Sequence, residues 1–121
     1  QTCALPILAR AGERILDLGA QAVIMKGGHL SGSAVVDLFL DADGVMQLSG
    51  ERYPYSVHGS GCCFSAALAA HLARGESARR AFAAARKFID TAIREAAGDF
   101  GPARIVNPGG AIIHRYRKDI S

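Results

Sequence analysis

The stretch His58-Gly59-Ser60-Gly61-Cys62-Cys63-Phe64-Ser65, continuing as Ala66-Ala67-Leu68-Ala69-Ala70-His71-Leu72, constrains the fold more than any other part of the chain. Gly59 and Gly61 permit a sharp turn and positive φ, and they keep side chains away from the main chain. The run that follows predicts a helix, with the amides of residues 59–62 at its N-terminus. Orphan N–H groups and the helix dipole together favour an anion there, typically a phosphate. Ser65, Ala66, Ala69, Ala70 and Ala73 are small enough for close packing, and Phe64, Leu68 and Leu72 form an apolar stripe at helical spacing. A glycine turn before a buried alanine-rich helix is the plainer alternative, because a lone glycine loop is a weak signal. Cys62 tips the balance. A thiol in the first turn sits where the dipole favours the thiolate, so it can act as a base or as part of an anion hole.

Around this stretch the pattern is that of an α/β domain. Leu8, Ala11, Ile15 and Leu18 follow helical spacing and Gly19 is a natural stop. Ala22-Val23-Ile24-Met25 is a short continuous apolar run, as in a strand buried on both faces of a parallel sheet. Helix, glycine stop and buried strand make an αβ unit. Lys26-Gly27-Gly28-His29 comes at the C-terminal end of that strand, where open α/β sheets place ligands. A lysine there can meet a nucleotide phosphate, although on the residues alone a surface lysine in a turn is the better reading; His29 receives no role. Val35–Leu40 and Val45–Leu48 flank Asp41-Ala42-Asp43-Gly44 and predict a hairpin. Asp37, Asp41 and Asp43 are acidic, but a turn accounts for Asp41 and Asp43 better than a metal does. Arg74-Gly75 ends the alanine-rich helix and Ser77 can cap the next. That next helix carries Ala78, Phe82, Ala85, Ile89, Ala92, Ile93 and Ala96 on one face, with Arg79, Arg80, Arg86, Lys87 and Asp90 elsewhere. From Gly101-Pro102 onward the chain reads as an irregular tail.

Composition limits the function classes. With 121 residues there is one domain at most, and no apolar run approaches transmembrane length. No secretory leader pattern is present, which favours the cytoplasm and no membrane partner. The net charge is only +3, and the basic residues cluster only at Arg115-Tyr116-Arg117-Lys118, so no nucleic acid is expected. Three cysteines, two of them adjacent, give neither a disulfide framework nor a zinc spacing. Gln1-Thr-Cys-Ala-Leu-Pro-Ile7 matches what a common sequencing adapter encodes. Residues 1–7 are therefore expected to be a non-native scar, residues 8–110 the folded part, and residues 111–121 a tail without a functional account.

His58-Gly-Ser-Gly-Cys followed by Phe-Ser-Ala-Ala resembles the C-terminal signature of the hydroxymethylpyrimidine/phosphomethylpyrimidine kinases of thiamine biosynthesis, in the ribokinase-like superfamily. Val23-Ile-Met-Lys-Gly-Gly-His29 resembles a second motif of that family, upstream and in the right order. The likeness covers roughly residues 8–108. It implies the C-terminal half of a ribokinase-like three-layer α/β/α sandwich with a mainly parallel sheet, the N-terminal half of the domain being the missing partner. It also implies ATP and Mg2+, the metal's ligands not being identifiable in this chain.

The reaction implied is transfer of the ATP γ-phosphoryl group to hydroxymethylpyrimidine or its monophosphate. Gly59, Ser60 and Gly61 would form the anion hole, Lys26 would offset nucleotide charge, and Cys62 would be the catalytic residue, where many relatives carry an aspartate. Arg86 stands where the family usually carries a lysine near the nucleotide phosphates. A planar guanidinium does not reproduce an ammonium's geometry, which puts that phosphate contact in doubt. Three alternatives remain open. One is a pyridoxal kinase of the same superfamily, another a non-catalytic nucleotide-binding module of a fused thiamine-pathway protein. The third, a cysteine-nucleophile hydrolase, lacks a convincing His/Asp arrangement. A homo-oligomer is compatible with all of them.

Overall fold

A computed structural model describes residues 4–27, 34–100 and 103–110 of the chain. Cys3, Gly28, His29 and the tail 111–121 lie outside the described residues. The chain divides into two compact units, Gln1–Arg52 and Tyr53–Ser121.

The first unit holds α1 (Ala4–Asp17), β1 (Ala22–Met25), β2 (Ala34–Asp41) and β3 (Gly44–Glu51). α1 takes in Ala4–Ile7, part of the stretch expected to be foreign. It ends as predicted: Gly19 lies at φ 109°, and the amides of Leu18 and Gly19 turn back onto the carbonyls of Ile15 and Leu16 at 3.1 and 2.9 Å. Its covered face differs from the one predicted. Ile15 is 41% and Leu18 87% exposed, whereas Gly12 is buried. A Cβ at Gly12 would lie 2.8 Å from Leu40 Cδ1 and 3.2 Å from Met25 Cγ, so the helix meets the sheet through the residue that has no side chain.

The sheet of this unit has the order β1-β2-β3 and is antiparallel throughout, with Val23 opposite Leu40 and Phe39 opposite Met46. This corrects the expectation of a mainly parallel sheet. The apolar run of β1 does not distinguish the two arrangements. The link over residues 26–33 does, being shorter than the dozen or more residues a parallel crossover needs. The hairpin is present as predicted, with Asp41 opposite Gly44, and the amide of Asp43 donates to Asp41 Oδ1 at 2.9 Å. Asp37, Leu38, Phe39 and Leu40 form the buried segment of β2.

The second unit holds β4 (Ser56–His58), α2 (Ser60–Ala73), α3 (Ala78–Arg94), β5 (Ala97–Phe100) and β6 (Ala103–Ile105), with sheet order β4-β6-β5. β6 runs parallel to β4, the two helices forming the crossover. Among the described residues this is the one parallel pair. The region from Gly101 was expected to be irregular. A three-residue strand is too short to show alternation, and β6 is defined by its pairing with β4 instead.

Ser77 caps α3, its Oγ accepting from the amide of Arg80 at 3.3 Å. Ala81, Phe82, Ala85, Ile89 and Ala92 are buried on α3, and Phe82 meets Phe64 of α2 edge-on with centroids 6.3 Å apart. Burying one such phenyl ring contributes about 2–3 kcal/mol. The close helix contact therefore depends on the alanines of α3. Those predicted to provide it, Ser65, Ala66, Ala69, Ala70 and Ala73 of α2, are exposed, and Leu72 is 44% exposed.

Candidate active site

In the second unit β4 delivers the chain to Gly59, which lies at φ 89°, ψ −1°. That left-handed conformation disfavours any residue with a Cβ, and a Cβ here would also lie 3.1 Å from Val106 Cγ1. Val106 is itself fixed, because its amide donates to His58 O at 3.1 Å. Pairing of β6 with β4 thus sets the position of the turn from below.

α2 starts at Ser60. Its first amide to reach a helical acceptor is that of Cys63, which donates to Gly59 O at 3.0 Å. The amides of Ser60, Gly61 and Cys62 precede it and have no acceptor within the helix. Gly59 offers no side-chain cap, and the first turn contains no acidic residue to neutralise the dipole. Gly61 and Cys62 are exposed, while Gly59 and Ser60 are half-buried. The result is a set of outward donors at the positive end of a helix, with a thiol beside them. Such a donor set suits the oxygens of a phosphoryl group. Cys63 is half-buried and opens instead onto a groove of about 460 Å3, bounded also by Ala67, Ala70, His71 and Phe88. The adjacent thiols therefore face different surroundings, as the turn of about 100° per residue requires.

In the first unit Lys26 follows β1 directly. Its ammonium donates to Asp37 Oδ2 at 2.5 Å, and the amide of Gly27 donates to Oδ1 of the same carboxylate at 2.9 Å. Asp37 is completely buried, whereas the Lys26 side chain is 40% exposed. Residue-by-residue reading did not assign Asp37 a partner. The available signal was a lone carboxylate inside the apolar run Val35–Leu40. Asp41 is taken up by its turn, and among the described residues no cluster of three His, Cys, Asp or Glu side chains is arranged to hold a metal.

Arg86 was considered for a phosphate contact. It is 5% exposed on the packed face of α3, and Nη1 pairs with Asp90 Oδ1 one turn on at 3.0 Å. No helix among the described residues is long and apolar enough to cross a membrane.

Comparison with known proteins matches the chain to one family. The family model for phosphomethylpyrimidine kinase covers residues 4–105. Over 90 residues the chain is 43% identical to the hydroxymethylpyrimidine/phosphomethylpyrimidine kinase of Rhizobium meliloti, covering 74% of this chain and 34% of that protein. Over 91 residues it is 41% identical to the pyridoxine kinase of Bacillus subtilis, covering 73% and 33%. The pyridoxal kinase from Staphylococcus aureus, solved with AMP-PCP and pyridoxal, superposes with a TM-score of 0.80 at 34% identity over 88% of this chain and 40% of that one. The chain thus spans about a third of the length of the curated relatives it matches.

Proposed function

The chain belongs to the phosphomethylpyrimidine kinase family, and from that premise we propose that it serves ATP-dependent phosphorylation of hydroxymethylpyrimidine or its monophosphate. It would do so as the portion of a ribokinase-like α/β/α domain that carries the anion-binding turn, residues 8–110 supplying that portion. The observation that carries this reading is that the amides of Ser60, Gly61 and Cys62 have no acceptor within the helix, with Gly61 and Cys62 exposed.

In the proposed reaction an acceptor oxygen, the hydroxyl of hydroxymethylpyrimidine or a phosphate oxygen of its monophosphate, bonds to the γ-phosphorus of ATP. The bond from that phosphorus to the β–γ bridging oxygen breaks, ADP leaves, and with the alcohol the hydroxyl proton is released. Catalysis of this kind is positioning plus charge stabilisation. The amides of residues 60–62 hold the oxygens of the moving phosphoryl group. Cys62 takes the hydroxyl proton or completes the anion hole, and Lys26 offsets charge on the nucleotide. Mg2+ accompanies the ATP and neutralises phosphate charge; no residue of this chain is assigned to it. Arg86 is left out of the phosphate site, since its guanidinium is buried against Asp90.

A second reading has its own support: pyridoxine and pyridoxal kinases are nearly as similar as the pyrimidine kinases. Phosphoryl transfer assayed against hydroxymethylpyrimidine, its monophosphate and pyridoxal separates the two readings, with turnover on the pyrimidines expected. Titration of AMP-PCP into the 121-residue chain tests whether the amide cradle and Lys26 bind nucleotide at all. Saturable binding is expected, and no binding at millimolar nucleotide would remove the basis for a phosphate site.

A further inference from the structure

We propose that Asp37 is a positioning residue for Lys26, fixing the lysine head where a nucleotide phosphate is to be met; this rests on the kinase reading above. Both carboxylate oxygens of Asp37 are engaged at the end of β1, Oδ2 by the Lys26 ammonium at 2.5 Å and Oδ1 by the Gly27 amide at 2.9 Å. Asp37 is fully buried on a strand flanked by Leu38, Phe39 and Leu40, each no more than 3% exposed. A carboxylate is kept in such surroundings only with partners, so its placement is deliberate in energetic terms.

The lysine, in contrast, is 40% exposed. A free lysine chain has four rotatable bonds and loses much of its rotamer freedom when held. Asp37 meets that entropic cost before any ligand arrives. An ammonium has three donors, so an anion can share it with the carboxylate. The bond to the Gly27 amide fixes the backbone at the same point, so side chain and main chain are aligned by one group.

This role differs from simple charge compensation in what substitution does. Removing the negative charge of a mere compensator strengthens the attraction of Lys26 for an anion. Removing a positioning group weakens anion binding, because the ammonium is no longer held. The test is AMP-PCP affinity of the 121-residue chain for the wild type, Asp37→Asn, Lys26→Met and the double variant, with folding checked by circular dichroism. Asp37→Asn is expected to weaken binding about tenfold on the wild-type background and to have no effect on the Lys26→Met background. Tighter binding by Asp37→Asn, or an equal loss in both backgrounds, would overturn the proposal.

A second measurement covers the case in which Asp37→Asn does not fold. In the wild-type chain the Lys26 Nζ resonance, assigned by its loss in Lys26→Met, is expected to be shifted from the mobile lysines and protected from solvent exchange. A resonance averaged with the other lysines would overturn the positioning role. This readout needs no nucleotide, so it stands even if AMP-PCP fails to bind and the kinase reading falls.

Discussion

The two units hold their candidate functional groups by opposite means. In the first, a side chain is held by another side chain eleven positions away, the buried carboxylate of Asp37 gripping Lys26. In the second, the groups that would meet a ligand are main-chain amides, aimed by the left-handed turn at Gly59 and by the β4–β6 pairing beneath it. A site made of backbone needs little from its neighbours beyond room, which is why glycines surround it. A site made of one charged side chain needs a second charge to hold it in place. That difference predicts which substitutions destroy chemistry and which destroy the fold.

The largest effect is expected at Cys62. Cys62→Ala, assayed in the full-length reading frame, should lower phosphoryl transfer by at least about a hundredfold, the scale set by loss of one anion-hole donor or one proton acceptor. Stability should change by no more than about 0.5 kcal/mol, because the thiol is exposed. AMP-PCP affinity should be retained, since the amides remain. Wild-type turnover in steady-state kinetics would remove Cys62 from the reaction and leave the backbone as the only functional part of this region.

Lys26→Met should show the reverse balance. It leaves the buried Asp37 carboxylate without the Lys26 ammonium, the Gly27 amide still donating to it. Breaking a buried pair costs about 3–5 kcal/mol, and water reaching the exposed lysine position argues for the lower end, about 3 kcal/mol. Urea unfolding of the 121-residue chain measures it. A loss below about 1 kcal/mol would mean that Asp37 finds adequate partners without the lysine, and the contrast between the units would lose its energetic basis.

What could be read from the sequence follows the same division. The Gly59–Cys62 turn and the helix start were legible because local rules govern both: glycine permits the turn and the small residues after it continue as helix. The hairpin and the Ser77 cap were legible for the same reason. The Asp37–Lys26 pair was not, because it depends on which strand lies beside which. The antiparallel pairing of β1 with β2 brings the two residues together, and an apolar tetrapeptide such as Ala22–Met25 carries no information about strand direction. β6 was hidden likewise, its three residues acquiring strand character only from β4. The α1 face was misplaced because a residue without a side chain does the packing: Gly12 is buried while Ile15 and Leu18 are exposed, whereas the α3 face was read largely as it lies, with Phe82, Ala85, Ile89 and Ala92 buried. Arg86 was placed off the packed face by its charge, yet Asp90 one turn away lets it be buried.

Gly59→Ala tests whether backbone geometry alone supports the second region. The left-handed conformation costs an L-residue about 1–2 kcal/mol, and the new methyl must also displace Val106, 3.1 Å away. A loss of about 2 kcal/mol in urea unfolding is expected, together with weaker AMP-PCP binding as the amides lose their aim. Unchanged affinity in a destabilised variant would separate the turn from the ligand site.

The smallest effect concerns the pair at the end of α2, where the second unit does use one side chain to hold another, but at the surface. His71 Nδ1 lies 3.0 Å from Glu76 Oε2, with both side chains partly exposed. The hydrogen bond from His71 holds the Glu76 carboxyl below its ordinary value; desolvation opposes this, and the charges of His71, Arg74 and Arg80 add to it. A carboxyl whose folded value is depressed contributes stability above its unfolded value, and that contribution is lost as pH falls through the folded one. Glu76→Gln should therefore lower the urea midpoint slightly at pH 7, and the gap to the wild type should close as the solution is acidified below the ordinary carboxylate range. A gap that persists unchanged at acid pH would show that the glutamate acts through packing. A gap as large as that of Lys26→Met would erase the distinction between a buried pair and a surface one, because surface pairs are worth little when water screens both partners.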